Sequence, residues 1–144
     1  MLPLSFQDAL QGKTILIVDD EPDSLAVARI LLEMARAKVL TGTNGDEGLK
    51  LATEHLPLFI ISDLSMPVMS GWELLRKLKE QPRTKDIPVI ALTAHAMTGD
   101  RQRAIEVGFH NYLTKPLRPE TFVRDLLHVV LEIPGVAEEL KIGG

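Results

Sequence analysis

Five short apolar runs, at 14–18, 38–41, 58–62, 88–92 and 111–114, punctuate this chain, and segments of helical period separate them. Strand-length runs alternating with helical segments specify βα units, whose successive strands pair in parallel. The first, third and fourth runs are almost continuously apolar. A parallel sheet covered by helices on both faces needs that pattern, because both sides of each central strand are buried. The predicted fold is therefore α/β, a (βα)5 unit with one five-stranded parallel sheet.

The intervening segments carry helix signals of their own. The first has Val27, Leu31 and Met34 at i, i+4, i+7, and the last has Phe122, Leu126, Val129 and Ile133 in the same rhythm. Asn44 followed by Glu47 resembles a capping box opening the second helix, and Gly71 precedes a Leu74, Leu75, Leu78 stripe in the third. Pro119 suits the first turn of the fifth. The fourth, about 98–107, has a thin apolar stripe and includes Gly99, which costs about 1 kcal/mol relative to Ala, so it is expected to be the most mobile. After Ile133 the Pro134-Gly135 pair interrupts the pattern, leaving 136–144 as a helical turn or a disordered tail.

A length of 144 residues fits one domain of ordinary size. The reading is an arm or linker over 1–12, a domain over 13–133 and a tail over 134–144. The net charge of -4, with no basic stripe, disfavours direct nucleic-acid binding. Zero cysteines and four scattered histidines (His55, His95, His110, His128) leave no thiolate or histidine zinc site in view. The first eleven residues carry Leu2, Leu4, Phe6 and Leu10 without a basic start or a long apolar run, so neither a signal peptide nor a membrane span is indicated. A cytoplasmic location is expected.

Ligands of parallel α/β sheets collect at the carboxyl ends of the strands, so the residues there decide the chemistry. They are polar throughout: Asp19-Asp20-Glu21 after the first strand, Asp63 after the third, Thr93 after the fourth and Lys115 after the fifth. Neighbouring strands lie about 4.8 Å apart, which puts acids from two strand ends within reach of one small ion. Clustered carboxylates raise one another's pKa unless a cation joins them. Magnesium, with its preference for hard oxygen ligands and retained waters, answers that need. A carboxylate so held can attack a phosphoryl donor and form an acyl phosphate, while Lys115 and the Thr93 hydroxyl offer a charge and a donor to the phosphoryl oxygens.

Taken singly, each residue has an ordinary reading. Adjacent acids after a strand are usually a turn or a helix cap, a lone Asp is turn chemistry, and Thr93, Lys115 and Tyr112 suit strands or strand ends. Met66, Met69 and Met97 read as core gap-fillers. The joint occurrence at four strand ends is what points to a site.

Four segments carry a closer resemblance: Ile15-Leu16-Ile17-Val18-Asp19-Asp20-Glu21-Pro22, Asp63-Leu64-Ser65-Met66-Pro67-Val68-Met69-Ser70-Gly71, Ala91-Leu92-Thr93-Ala94 and Tyr112-Leu113-Thr114-Lys115-Pro116. In order and spacing they resemble the receiver domains of bacterial two-component response regulators, in particular single-domain chemotaxis-type ones. The resemblance implies a flavodoxin-like sheet of order 2-1-3-4-5. It implies Asp63 as phosphoacceptor from a histidine kinase or phosphotransfer protein, and Mg2+ on Asp20, Asp63 and the Ser65 carbonyl, with Asp19 helping through water. It also implies Lys115 as the phosphoryl contact and Thr93 and Tyr112 as a switch pair. The signal would leave through the face of the fourth helix, fifth strand and fifth helix to a downstream protein. Ser65 and His95 flank the path of attacking water, so they bear on the lifetime of the phosphorylated form. Leu10-Gln11-Gly12 resembles linkers into receivers fused to sensor kinases, which makes an excised domain of a hybrid kinase an alternative.

A haloacid-dehalogenase-type phosphatase also uses an Asp nucleophile, magnesium and a Lys, but expects Asp-x-Asp after the first strand. Here the acids are adjacent and the candidate nucleophile follows the third. No G-x-x-x-x-G-K-[ST] loop for nucleotide hydrolysis is present.

Overall fold

The computed structural model describes residues 8, 10–94 and 98–140, with the backbone alone for 98–100. Its elements run β1 (Thr14–Val18), α1 (Pro22–Met34), β2 (Lys38–Gly42), α2 (Gly45–His55), β3 (Phe59–Asp63), α3 (Gly71–Glu80), β4 (Val89–Thr93), α4 (Thr98–Val107), β5 (Asn111–Thr114), α5 (Phe122–Val130) and α6 (Pro134–Leu140). The strands form one parallel sheet in the order β2-β1-β3-β4-β5. The sheet, its order and its helices on both faces accord with the flavodoxin-like expectation.

Alternate residues of each strand point to opposite faces, and they divide the core in two. Ile15, Ile17, Phe59, Ile61, Ile90 and Leu92 pack with α1, α5 and α6. Leu16, Val18, Ile60, Val89 and Ala91 pack with α2, α3 and α4. In α3 the Leu74, Leu75, Leu78 stripe is fully buried, each leucine contributing about 1.5–3 kcal/mol.

Several expectations move by a residue or a face. Asp63 and Thr93 close β3 and β4 rather than following them, because parallel pairing continues through Asp63↔Leu92 and Thr93↔Thr114. Met34 is 68% exposed, and α1 instead buries Ala28, Leu31 and Leu32. Pro119 lies in a turn ahead of α5, where the Arg118 carbonyl accepts from the Thr121 and Phe122 N–H groups. Asn44 does cap α2, accepting from Glu47 N–H at 2.9 Å, but the Glu47 carboxylate turns back to Thr43 rather than to the Asn44 N–H. Met69 is buried and Met66 partly so. Leu2, Leu4, Phe6, His95 and Met97 lie outside the described residues.

At the other end, Pro134 starts α6 instead of merely ending α5. Val136 and Leu140 join the core, so the segment past Ile133 is packed as far as Leu140. Leu10 is likewise fully buried in the core cluster that holds Ile15, Ile17 and Ala28, and Asp8 pairs with Arg36 at 2.8 Å.

Candidate functional site

Four strand ends converge on one cluster. Asp19 follows β1; its N–H bonds to the Gly42 carbonyl at 3.0 Å, and its side chain is wholly buried. Its Oδ1 accepts from the Glu21 N–H at 3.0 Å, an arrangement that turns the chain into α1. Asp20, the next residue, is exposed. Asp63 is 7% exposed at the end of β3, and its Oδ1 accepts from the Ser65 N–H at 3.0 Å. Oxygens of Asp19, Asp20 and Asp63 all lie within 4.8 Å of one another.

Lys115 reaches this cluster from the end of β5, where its N–H donates to the Thr93 carbonyl at 2.8 Å. The nearly buried ammonium lies 2.9 Å from Asp63 Oδ2 and 3.0 Å from Asp19 Oδ2, and it also pairs with the exposed Glu21 carboxylate. It donates hydrogen bonds to Asp63 Oδ2, to Glu21 Oε1 and, at 3.2 Å, to Asp19 Oδ1. Among the described residues Asp19 Oδ2 has no hydrogen-bond partner despite its burial, only the ion-pair contact with Lys115. Three carboxylates, those of Asp19, Glu21 and Asp63, thus share one ammonium, and a buried acceptor is left over.

The electrostatics follow. Burial pushes the Asp19 carboxyl up to about 6, against the Glu21 N–H and Lys115, which favour its ionised form, and with help from the Asp63 charge. For Lys115, burial disfavours the ammonium, but hydrogen bonds to Glu21, Asp63 and Asp19 prevail and hold it above the usual lysine range.

The donor set suits a small hard divalent cation. Octahedral magnesium at about 2.0–2.1 Å places neighbouring ligand oxygens about 2.9 Å apart and opposite ones about 4.1 Å apart. The three aspartates offer oxygens within 4.8 Å of one another, so pairs bound as neighbours would draw in by up to about 1.9 Å, and Asp19 Oδ2 is an acceptor without a hydrogen-bond donor among the described residues.

The loop carrying Asp63 into α3 is tightly folded back. Gly71 N–H donates to the Leu64 carbonyl at 3.0 Å, and a Cβ on Gly71 would come 2.0 Å from the Asp63 carbonyl oxygen. Only glycine permits that approach. Ser70 caps the helix, accepting from the Glu73 N–H at 3.2 Å.

Thr93 is buried at the end of β4, and Tyr112 is half-buried in β5. Tyr112 pairs with Ala91, two residues before Thr93, so Thr93 and Tyr112 point to the same face of the sheet, the one covered by α4. The Arg101 guanidinium of α4 lies 5.0 Å from the centre of the Tyr112 ring.

Sequence reading placed Asp19, Asp20, Asp63, Thr93 and Lys115 at one sheet edge, and the structure brings them there. It passed over two residues. Glu21 was grouped with the strand-end acids without a role, since its pairing with a lysine 94 positions away leaves no local signal. Gly71 was read only as a helix start, although the short interval from Asp63 hints at a return of the chain.

Residues 15–127 match the response regulator receiver domain family. This chain belongs to that family of signalling proteins. An uncharacterised 14.6 kDa protein of Leptolyngbya boryana is 42% identical over 120 residues, 83% of this chain and 92% of that protein. The polar-differentiation response regulator DivK of Brucella anthropi is 36% identical over 114 residues, 79% of this chain and 93% of its own length. The phosphate regulon regulator PhoB of Pseudomonas aeruginosa is 38% identical over 135 residues, and this chain spans 59% of it. Among solved structures, the chemotaxis response regulator CheY4 of Vibrio cholerae superposes with a TM-score of 0.77 at 32% identity, covering 83% of this chain and 99% of that one. The receiver domain of the Pseudomonas aeruginosa sensor histidine kinase PA1611, which has magnesium coordinated in its active-site cleft, gives 0.74 at 29% identity, covering 83% and 98%.

Proposed function

We propose that this chain is a phosphorylation-driven switch in which Asp63 takes a phosphoryl group from a histidine kinase or histidine phosphotransfer protein. The observation that carries the reading is the Lys115 ammonium 2.9 Å from Asp63 Oδ2, beside two further aspartates on the same edge. An Asp63 carboxylate oxygen attacks the phosphorus of a phosphohistidine, forming the acyl-phosphate P–O bond while the P–N bond breaks and the imidazole departs with the bonding pair.

Asp20, Asp63 and the Ser65 carbonyl would hold magnesium, with Asp19 assisting through water. Its charge offsets the repulsion between acids and phosphate. Lys115 shifts from its carboxylate partners to a phosphoryl oxygen, and the Thr93 hydroxyl donates to another. Drawing Thr93 inward frees space for the Tyr112 ring, which alters the α4–β5–α5 face. A cavity of about 380 Å³ between β5 and α5, with Tyr112, Phe122, Asp125 and His128 in its wall, gives a downstream protein somewhere to engage. Ser65 and His95 tune how fast water reaches the acyl phosphate. Residues 13–133 form the receiver, acting in the cytoplasm and without direct nucleic-acid contact.

The test is intact-mass spectrometry after incubation with acetyl phosphate. One phosphoryl group should be gained with magnesium, none with excess chelator and none in Asp63→Asn. A phosphoryl group persisting in Asp63→Asn refutes the assignment.

A second reading, a receiver belonging to a hybrid sensor kinase, draws on the likeness to the PA1611 receiver. The two differ in the donor, which phosphotransfer from isolated kinases and phosphotransfer proteins distinguishes. The haloacid-dehalogenase reading is set aside by the family match.

A further inference from the structure

A second surface lies apart from both the acidic edge and the β5–α5 cavity. Between α3 and α4 runs a groove of about 420 Å³ lined by Trp72, Leu75, Arg76, Lys79, Glu80, Arg103 and Val107. We propose that it docks an acidic amphipathic helix of a partner protein.

Its floor is apolar and aromatic. Trp72, the only tryptophan in the chain, stacks edge-on against Phe109 with centroids 5.5 Å apart, and Leu75 is buried beneath it. Val107 is 49% exposed on the α4 side. The rims are basic: Arg76, Lys79 and Arg103 against Glu80 alone. Glu80 is already engaged by Arg76 at 2.7 Å. Among the described residues neither Lys79 nor Arg103 has an acidic partner; Arg103 rests 4.5 Å over the Trp72 ring, and the Lys79 stem lies against Gly108.

In a chain of net charge -4, a groove with this surplus of cations selects an acidic occupant by charge complementarity. Tryptophan and arginine are also the residues that most often dominate binding energy at interfaces. The flanking α3 has ten residues, a length of about 15 Å that matches three turns of a bound helix with apolar anchors at i, i+3/i+4 and i+7.

The probe is a synthetic twelve-residue peptide with leucine at those anchor positions and glutamate elsewhere, compared with the same peptide carrying lysine for every glutamate. Binding is read from Trp72 fluorescence and from amide shifts of 71–80 and 101–108. The glutamate peptide should perturb both, and its affinity should fall at least about threefold between 50 and 300 mM salt. The double variant Lys79→Glu/Arg103→Glu should weaken it about tenfold or more, while Arg124→Glu on α5 leaves it within about twofold. Asp63→Asn should bind like the wild type, so loss of phosphoryl uptake and loss of docking are separable outcomes. Equal or better binding of the lysine peptide, unchanged affinity in the double variant, shifts confined to the α4–β5–α5 face, or self-association of the chain through the groove would each overturn the proposal.

Discussion

The carboxyl edge of β1 and β3 and the helix α4 sit on the same sheet, yet they are held by different forces. At the edge, Asp19 and Asp63 are buried, their backbones are paired into the ladder or to the next strand, and one lysine ties them together. In α4 Ala104 is the buried side chain among the described residues, while Ile105 and Val107 are 44% and 49% exposed. Beside Ala104 in the core, two arginines of α4 rest on aromatic rings, Arg101 on Tyr112 and Arg103 on Trp72. Such contacts contribute about 0.5–1 kcal/mol each where exposed. Reacting groups need fixed geometry and a responding element needs a low cost of movement, so the division suits a protein that does its chemistry in one place and signals from another.

The largest effect should come from tightening the rigid side further than it allows. Gly71→Ala drives a methyl group to within 2.0 Å of the Asp63 carbonyl, and backbone must move. A loss of about 2–4 kcal/mol in urea unfolding is expected, with weakened magnesium response at the site. A variant as stable as the wild type would mean the loop is softer than the comparison holds.

Next comes pH. Asp19 has its carboxyl raised from 3.8 to about 6, so between those values the folded protein binds a proton that the unfolded chain lacks. The ionised carboxylate therefore costs stability at neutral pH, and the cost is relieved as pH falls from about 6 to about 4. In chelated protein, Asp19→Asn should be the more stable form at pH 7, by at most about 3 kcal/mol, with the gap narrowing toward pH 4. A pH-independent gap would remove burial as its cause.

Thr93→Ala tests whether the two regions communicate as proposed. It should still take phosphate on Asp63 but lose most of the amide-shift response of 101–118 to the phosphoryl mimic beryllofluoride, since a phosphate with no differential contact shifts no population. A full response would place the coupling elsewhere. The smallest effect belongs to Arg101→Ala, which should cost under about 1 kcal/mol globally yet speed amide hydrogen exchange in 101–107 severalfold. Unchanged exchange would show that the Tyr112 contact does not secure α4.

Sequence alone determined the alternation of strands and helices and the polar residues at each strand end, because these are local patterns: continuous apolar runs, helical period, and a change to acid, hydroxyl or lysine where the run stops. The strand order came through resemblance, since no local property says which strands become neighbours. Burial was decided in three dimensions. Asp19 and Asp20 are equivalent on paper, but one is enclosed and the other exposed; α1 buries Ala28 and presents Met34 to solvent. The Lys115–Glu21 pair, the glycine pressed against Asp63 and the packing of Val136 and Leu140 all join residues far apart in the chain or across a returning loop. A side chain's burial and partners are sums over neighbours that the fold assembles, so they become definite only once the strands are in register and the helices have chosen their faces.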